Sequence, residues 1–99
     1  MNFLKLEYKG KSFTNKNQIL KILKENEFYW LIDSEVSDAI IEIKNNTLIW
    51  HDGIFMSGNW YYGIFKNGSF YGNWKNGIFE SGYFNGNWNS GIDLTKNNQ

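Results

Sequence analysis

The sequence predicts an α+β domain: a small N-terminal β-α-β-β part that continues into a repetitive antiparallel β-hairpin sheet, with a short β-solenoid as the alternative. Three observations predict it. One amphipathic helical pattern sits among strand patterns in residues 1–49. From Gly53 to Gly91 the glycines are spaced 5, 5, 5, 4, 5, 5, 4 and 5 residues apart. An aromatic follows two residues after each glycine from Gly53 to Gly86: Phe55, Trp60, Phe65, Phe70, Trp74, Phe79, Phe84 and Trp88.

Phe3, Leu4, Leu6 and Tyr8 form a mostly alternating segment, which reads as a first strand. Gly10 and Lys11 make a turn. Asn15 is a helix cap, with Gln18 three residues on as the partner of a capping box. Ile19, Leu20, Ile22 and Leu23 then give a helix of about ten residues one apolar face. Lys21 and Lys24 near its end suit the negative pole of the helix dipole. Phe28–Ile32 is aromatic and branched and reads as a buried strand, and Ser34–Asp38 as a polar connection. Ala39–Ile43 is a further strand. Asn45-Asn46 is a hairpin turn, because asparagine tolerates positive φ, and Thr47–Trp50 is the returning strand. The strands add up to β-α-β-β-β if the last one is counted with this half.

Residues 50–91 are a repeat with a unit of 14 residues. Gly58-Asn-Trp-Tyr-Tyr-Gly-Ile-Phe-Lys-Asn-Gly-Ser-Phe-Tyr71 recurs as Gly72-Asn-Trp-Lys-Asn-Gly-Ile-Phe-Glu-Ser-Gly-Tyr-Phe-Asn85. A third copy begins at Gly86 and breaks at Ile92-Asp93. Asp-Gly, Ser-Gly and Asn-Gly pairs mark turns between short extended pieces. Stacking of successive units would align Trp60, Trp74 and Trp88 in one row, Phe65 and Phe79 in a second, and Phe70 and Phe84 in a third. A large ring buries roughly 150–250 Å², so such rows offset chain entropy without an ordinary core. The chain is expected to be a single domain, with residues 1–49 as its α/β part, 50–91 as its repeat and 92–99 as a polar, solubilising tail.

Two stretches, Phe70-Tyr-Gly-Asn-Trp-Lys-Asn-Gly77 and Phe84-Asn-Gly-Asn-Trp-Asn-Ser-Gly91, resemble the MORN repeat, aromatic-x-Gly-x-Trp-x-x-Gly, at a shorter period. The resemblance implies a β-hairpin. A weaker resemblance is to pentapeptide repeats, in which a small residue sits two before a central large apolar one. Gly58-Asn59-Trp60-Tyr61-Tyr62 looks like the core of choline-binding repeats, which cage a quaternary ammonium between aromatics.

Composition narrows the chemistry. The chain has 99 residues, no cysteine, no proline, one histidine and zero formal net charge; all its cations are lysines. Disulfides, thiolate metal sites and multi-histidine metal sites are excluded. No electrostatic footprint for DNA or an anionic membrane is visible. No apolar run spans a membrane and no signal-peptide core opens the chain, so a cytoplasmic protein without a cofactor is expected. His51-Asp52 reads as a turn pair rather than as a base with its orienting carboxylate. Glu35 and Asp38 read as a solvated connection, and the glycines form neither a phosphate loop nor a dinucleotide fingerprint. The expectation is a non-enzymatic module.

Comparing equivalent repeat positions singles out candidate binding residues. Tyr61 matches Lys75 and Asn89, Tyr62 matches Asn76 and Ser90, Tyr71 matches Asn85, and Tyr83 matches Ser69. Each tyrosine occupies a position that is polar in a sister unit, so each should face solvent. Tyr61, Tyr62, Tyr71 and Tyr83, with Lys66 and Lys75, are the expected partner-binding residues. The favoured partner is a protein; on size and composition bias, an inhibitor of a host defence complex, such as a phage-encoded inhibitor of a CRISPR nuclease, is one version. Carbohydrate or choline binding and single-stranded nucleic-acid binding are the alternatives. A homodimer through an open sheet edge is a further expectation.

Overall fold

The computed structural model describes residues 2–96. β1 (Phe3–Tyr8) turns back into β2 (Lys11–Phe13), followed by α1 (Lys16–Glu25), α2 (Tyr29–Ile32), β3 (Glu35–Lys44) and β4 (Thr47–Ser57). Eight two-residue strands follow: β5 (Asn59–Trp60), β6 (Ile64–Phe65), β7 (Ser69–Phe70), β8 (Asn73–Trp74), β9 (Ile78–Phe79), β10 (Tyr83–Phe84), β11 (Asn87–Trp88) and β12 (Ile92–Asp93). The class is α+β, and the second half is β-solenoid-like, about three turns of stacked coil.

The hairpin sheet expected for the repeat is therefore corrected. β6, β9 and β12 pair in parallel, as do β7 with β10 and β5 with β8 and β11. No hairpin joins strands within residues 70–77 or 84–91. The reason is the division of the 14-residue unit into steps of 5, 5 and 4. Three short sides close one coil, so each residue lies over its counterpart in the next unit: Ile64 over Ile78, Asn73 over Asn87, Trp74 over Trp88. Glycine makes this coil spacing possible. At Gly77, where φ is +123°, an added Cβ would lie 2.6 Å from the carbonyl oxygen of Gly63 one coil earlier.

β4 joins the halves. Its first part (Ile49, Trp50) pairs with β6 and its second part (Ile54, Phe55) with β7. It bends at Gly53, whose φ is +116°, and thereby supplies two sides of the first coil. β3 runs antiparallel along β4 with irregular register near Asp38, where φ is +55°. One nine-stranded sheet results, with a main path β12-β9-β6-β4-β3-β1-β2, while β5, β8 and β11 form the third side of the coil.

The core is continuous. Ile19, Ile22 and Leu23 of α1 and Leu31 of α2 pack with Phe3, Leu6, Ile41 and Leu48 from the strands. The same cluster runs on into three columns of parallel rings. Trp50, Phe65 and Phe79 stack at 5.4 and 5.1 Å; Phe55, Phe70 and Phe84 at 4.7 and 5.2 Å; Trp60, Trp74 and Trp88 at 5.2 and 5.3 Å. Trp30 of α2 meets Trp60 edge-on at 5.1 Å and covers the N-terminal end of the tryptophan column.

Several expectations hold and several change. The strand at Phe3–Tyr8, the helix and the turn at Asn45-Asn46 (φ +52° and +61°) are as expected. Asn15 caps α1 by accepting from the Gln18 backbone N–H. Phe28–Ile32 is not a strand: Phe28 is the cap residue of α2. β1 already has β2 on one side and β3 on the other, so no internal sheet position is left for that segment, and its strand propensity is overridden. Ser34–Asp38 is not merely a connection, because β3 begins at Glu35 with Val36 buried. Ile92-Asp93 continues the coil as β12, and the expected tail residues Asn97, Asn98 and Gln99 lie outside the described residues.

Candidate docking surface

With the rings turned inward, the intervening residues face out, and each side of the coil carries a column of its own. On the first side, Ile49, itself buried, lines up with Ile64, Ile78 and Ile92, flanked by His51, Lys66, Glu80 and Leu94. On the third side, Asn59, Asn73 and Asn87 form a ladder: Asn73 Nδ2 donates to Asn59 Oδ1 at 3.3 Å and Asn87 Nδ2 to Asn73 Oδ1 at 2.9 Å. On the second side, Ile54, Ser69 and Tyr83 line up. Beside that column, at the corner towards the third side, lie Met56 and Tyr71, one residue past the inward Phe55 and Phe70.

All four candidate tyrosines are exposed, between 42% and 56%. They do not make one patch. Tyr71 and Tyr83 are neighbours, ring centroids 5.9 Å apart. With Ile54 and Met56, also exposed, they make a largely apolar strip along the second side, interrupted by Ser69 between Ile54 and Tyr83. Tyr61 and Tyr62 lie at the corner between the third and first sides, around Trp30 at 6.3 and 5.7 Å, and Tyr62 also meets Phe28 at 5.7 Å. A shallow cleft of about 260 Å³ lies between Trp30, Asp33, Ser34, Gly58, Asn59 and Tyr61. Lys66 sits at the corner between the first and second sides, 3.7 Å from Glu80 of the next coil. Lys75 is half-buried directly over the Tyr61 position, and its carbonyl accepts from Ser90 Oγ at 2.7 Å.

Ile54 and Met56 are the strip residues that sequence comparison missed. The signal was available: Ile54 occupies the Ser69/Tyr83 position and is apolar where a sister unit is polar. Finding it required starting the first coil at Ile49 rather than at Gly58.

The N-terminal sheet carries a polar cluster of Lys5, Glu7, Glu42 and His51. His51 Nε2 lies 2.8 Å from Glu42 Oε1, so its partner is not the adjacent Asp52, whose Oδ1 instead accepts from the Gly53 N–H. His51 lies within β4, not in a turn. Ser12 Oγ donates to Glu7 Oε2, and this bond, supported by Lys5, holds the Glu7 carboxyl below its usual range. A group lowered on folding contributes stability above its ordinary pKa and loses that contribution as pH falls through the lowered value. Ser12→Ala is expected to return the Glu7 titration towards the ordinary glutamate range, read by the pH dependence of its side-chain carboxyl resonance. Among the described residues no group of three or more His, Asp or Glu could hold a metal ion, and no helix is long and apolar enough to cross a membrane.

Comparison with family models, with curated proteins and with solved structures gives no significant match.

Proposed function

We propose that the protein is a non-enzymatic binding module that docks another protein along the second side of its coil. The apolar strip of Ile54, Met56, Tyr71 and Tyr83 carries this reading. Exposed apolar residues grouped on one side of a small protein mark an interaction site. Here the strip stands on stacked rings that fix its backbone, so little conformational entropy remains to be lost on docking. Tyrosine adds contact area with only two side-chain torsions to order.

The other sides offer less. The asparagine ladder of the third side bonds to itself. Nucleic-acid binding would draw on Lys66 and Lys75, of which one faces Glu80 and the other is half-buried, in a chain of zero net charge. A choline- or sugar-binding site built on Gly58–Tyr62 would need an accessible Trp60 ring, but Trp60 is fully buried between Trp30 and Trp74.

Tyr71→Ser with Tyr83→Ser is expected to leave the far-ultraviolet circular dichroism and the melting temperature within a few degrees of the parent. Capture of a stoichiometric protein partner by immobilised protein should fall at least tenfold in the double variant, the loss of about 1.4 kcal/mol or more. Unchanged capture, or no partner for the parent, contradicts the proposal. Inhibition of a host defence nuclease is one consequence such docking could have, and the captured partner's activity with and without the protein tests it.

A further inference from the structure

Trp30 and Tyr61 meet at the N-terminal end of the coil, where the third side begins. Their ring planes are inclined at 70° with centroids 6.3 Å apart, and both rings line the cleft of about 260 Å³. Tyr61 is 46% exposed and Trp30 is half-buried, so the cleft has ring surface that solvent reaches without drawing on the buried Trp60. Its floor is built by the close approach of two elements. Ser34, which is buried, donates from Oγ to the Trp30 carbonyl at 2.6 Å, and a Cβ at position 58 would collide with that same Oγ. Glycine at 58 is what lets the coil come this close to the end of α2.

Two polar side chains complete the lining. Asp33 ends α2, is exposed, and has no ion pair among the described residues. Asn59 heads the asparagine ladder: its Oδ1 accepts from Asn73 Nδ2 at 3.3 Å, so its Nδ2 is the donor it brings to the cleft. The charge around α2 has one sign. From Glu25 to Asp38 the chain carries five acids and no basic residue. Lys75 lies one coil further on, outside the lining.

We propose that this cleft binds the guanidinium group of an arginine side chain on another protein. Aromatic faces attract cations, and the flat guanidinium stacks on them. The Asp33 carboxylate can take two of its N–H donors at once, a match that a lysine ammonium lacks. At about 260 Å³ the cleft is smaller than the roughly 300–1,000 Å³ of pockets that enclose whole small ligands, and it suits a single side-chain head. Asn59 Nδ2 supplies a donor for a main-chain carbonyl beside the arginine. The occupant comes from a different protein, because all ten basic side chains of this chain are lysines, which rules out its own termini and a second copy alike. The site stands apart from docking along the second side and does not require it.

Titration of the isotope-labelled full chain with Nα-acetyl-arginine methylamide, followed by backbone amide chemical shifts, tests the assignment. Shifts are expected to group on residues 30–34 and 58–61, with half-saturation at about 1–10 mM, as suits one side-chain head. The citrulline analogue, of the same shape without the charge, should bind about tenfold more weakly or worse, and the lysine analogue about threefold more weakly or worse. Asp33→Asn, an exposed change of equal size, should weaken arginine binding about tenfold or more while the rest of the spectrum stays that of the parent. Tyr61→Leu, also exposed, should weaken it about threefold or more. Tyr71→Ser with Tyr83→Ser should leave it unchanged, which separates this site from the docking strip. No shifts up to about 50 mM arginine analogue, equal binding of the citrulline or lysine analogue, indifference to Asp33→Asn or to Tyr61→Leu, or shifts confined to the neighbouring cleft of Glu25, Glu27 and Tyr62 overturns the proposal.

Discussion

Trp74→Ala is expected to lower the stability of the domain by about 3–5 kcal/mol, enough to melt the later coils at 25 °C, the largest loss of any single ring. Trp74 is the centre of the stack. It lies parallel to Trp60 and Trp88 at 5.2 and 5.3 Å and meets Phe70 and Phe79 edge-on at 5.3 and 5.7 Å. Removing it opens a void between Trp60 and Trp88, whose own ring contacts hold them in place and limit collapse. Trp74→Phe should cost much less, about 1–2 kcal/mol, because a ring remains and the buried indole N–H has no hydrogen-bond partner among the described residues to lose. Urea unfolding followed by circular dichroism separates the two variants. Equal losses would mean that the ring stack contributes little.

Gly77→Ala is expected to be nearly as damaging, although it adds a single methyl group. The added Cβ would sit 2.6 Å from the Gly63 carbonyl and 3.1 Å from the Trp60 indole nitrogen, at a φ of +123°. The nearest obstructing atom is backbone, held in the parallel ladder, so the coils must separate. A loss of about 3 kcal/mol or more follows from strain together with broken ladder bonds. Gly10→Ala is the control. Its φ of +76° is also unfavourable, but nothing lies within 4 Å of the new Cβ, so about 1 kcal/mol is expected. Thermal unfolding of both variants checks the contrast. A similar shift for the two would show that backbone strain alone, and not close stacking, explains the glycines.

The contrast between these positions also explains how far the sequence could be read. The ring rows were legible because a 14-residue period leaves Trp60, Trp74 and Trp88 equivalent under any stacking geometry. The choice between hairpin and coil was less legible, because Asn-Gly and Ser-Gly serve both a reversing turn and a solenoid corner. The deciding signal is numerical: three unequal steps close a three-sided coil, whereas a hairpin ladder needs paired strands of matching length. Trp50 and Phe55 were hidden as the first tier because Met56-Ser57 adds one residue to that coil and because Thr47–Trp50 also reads as an ordinary hairpin strand. Trp30 was hidden for a different reason. An aromatic, β-branched run has strand propensity, and only the crowded neighbourhood of β1 assigns it to a short helix over the coil.

For the candidate site, exposure of the tyrosines followed from comparison of sister units, since a position that accepts Asn, Ser or Lys in one coil is outward in all. Grouping did not follow. Which outward columns share a side depends on where the corners fall, and that places Tyr71 with Tyr83 but sends Tyr61 and Tyr62 to Trp30.

The most direct test of the coil is nuclear Overhauser spectroscopy on uniformly labelled protein. Parallel coils predict backbone contacts between residues 14 apart on all three sides, such as Ile64 with Ile78, Ser69 with Tyr83 and Asn73 with Asn87. Antiparallel Hα–Hα contacts between successive short strands, with the 14-residue contacts missing, would contradict the stacked coil and every prediction that rests on it.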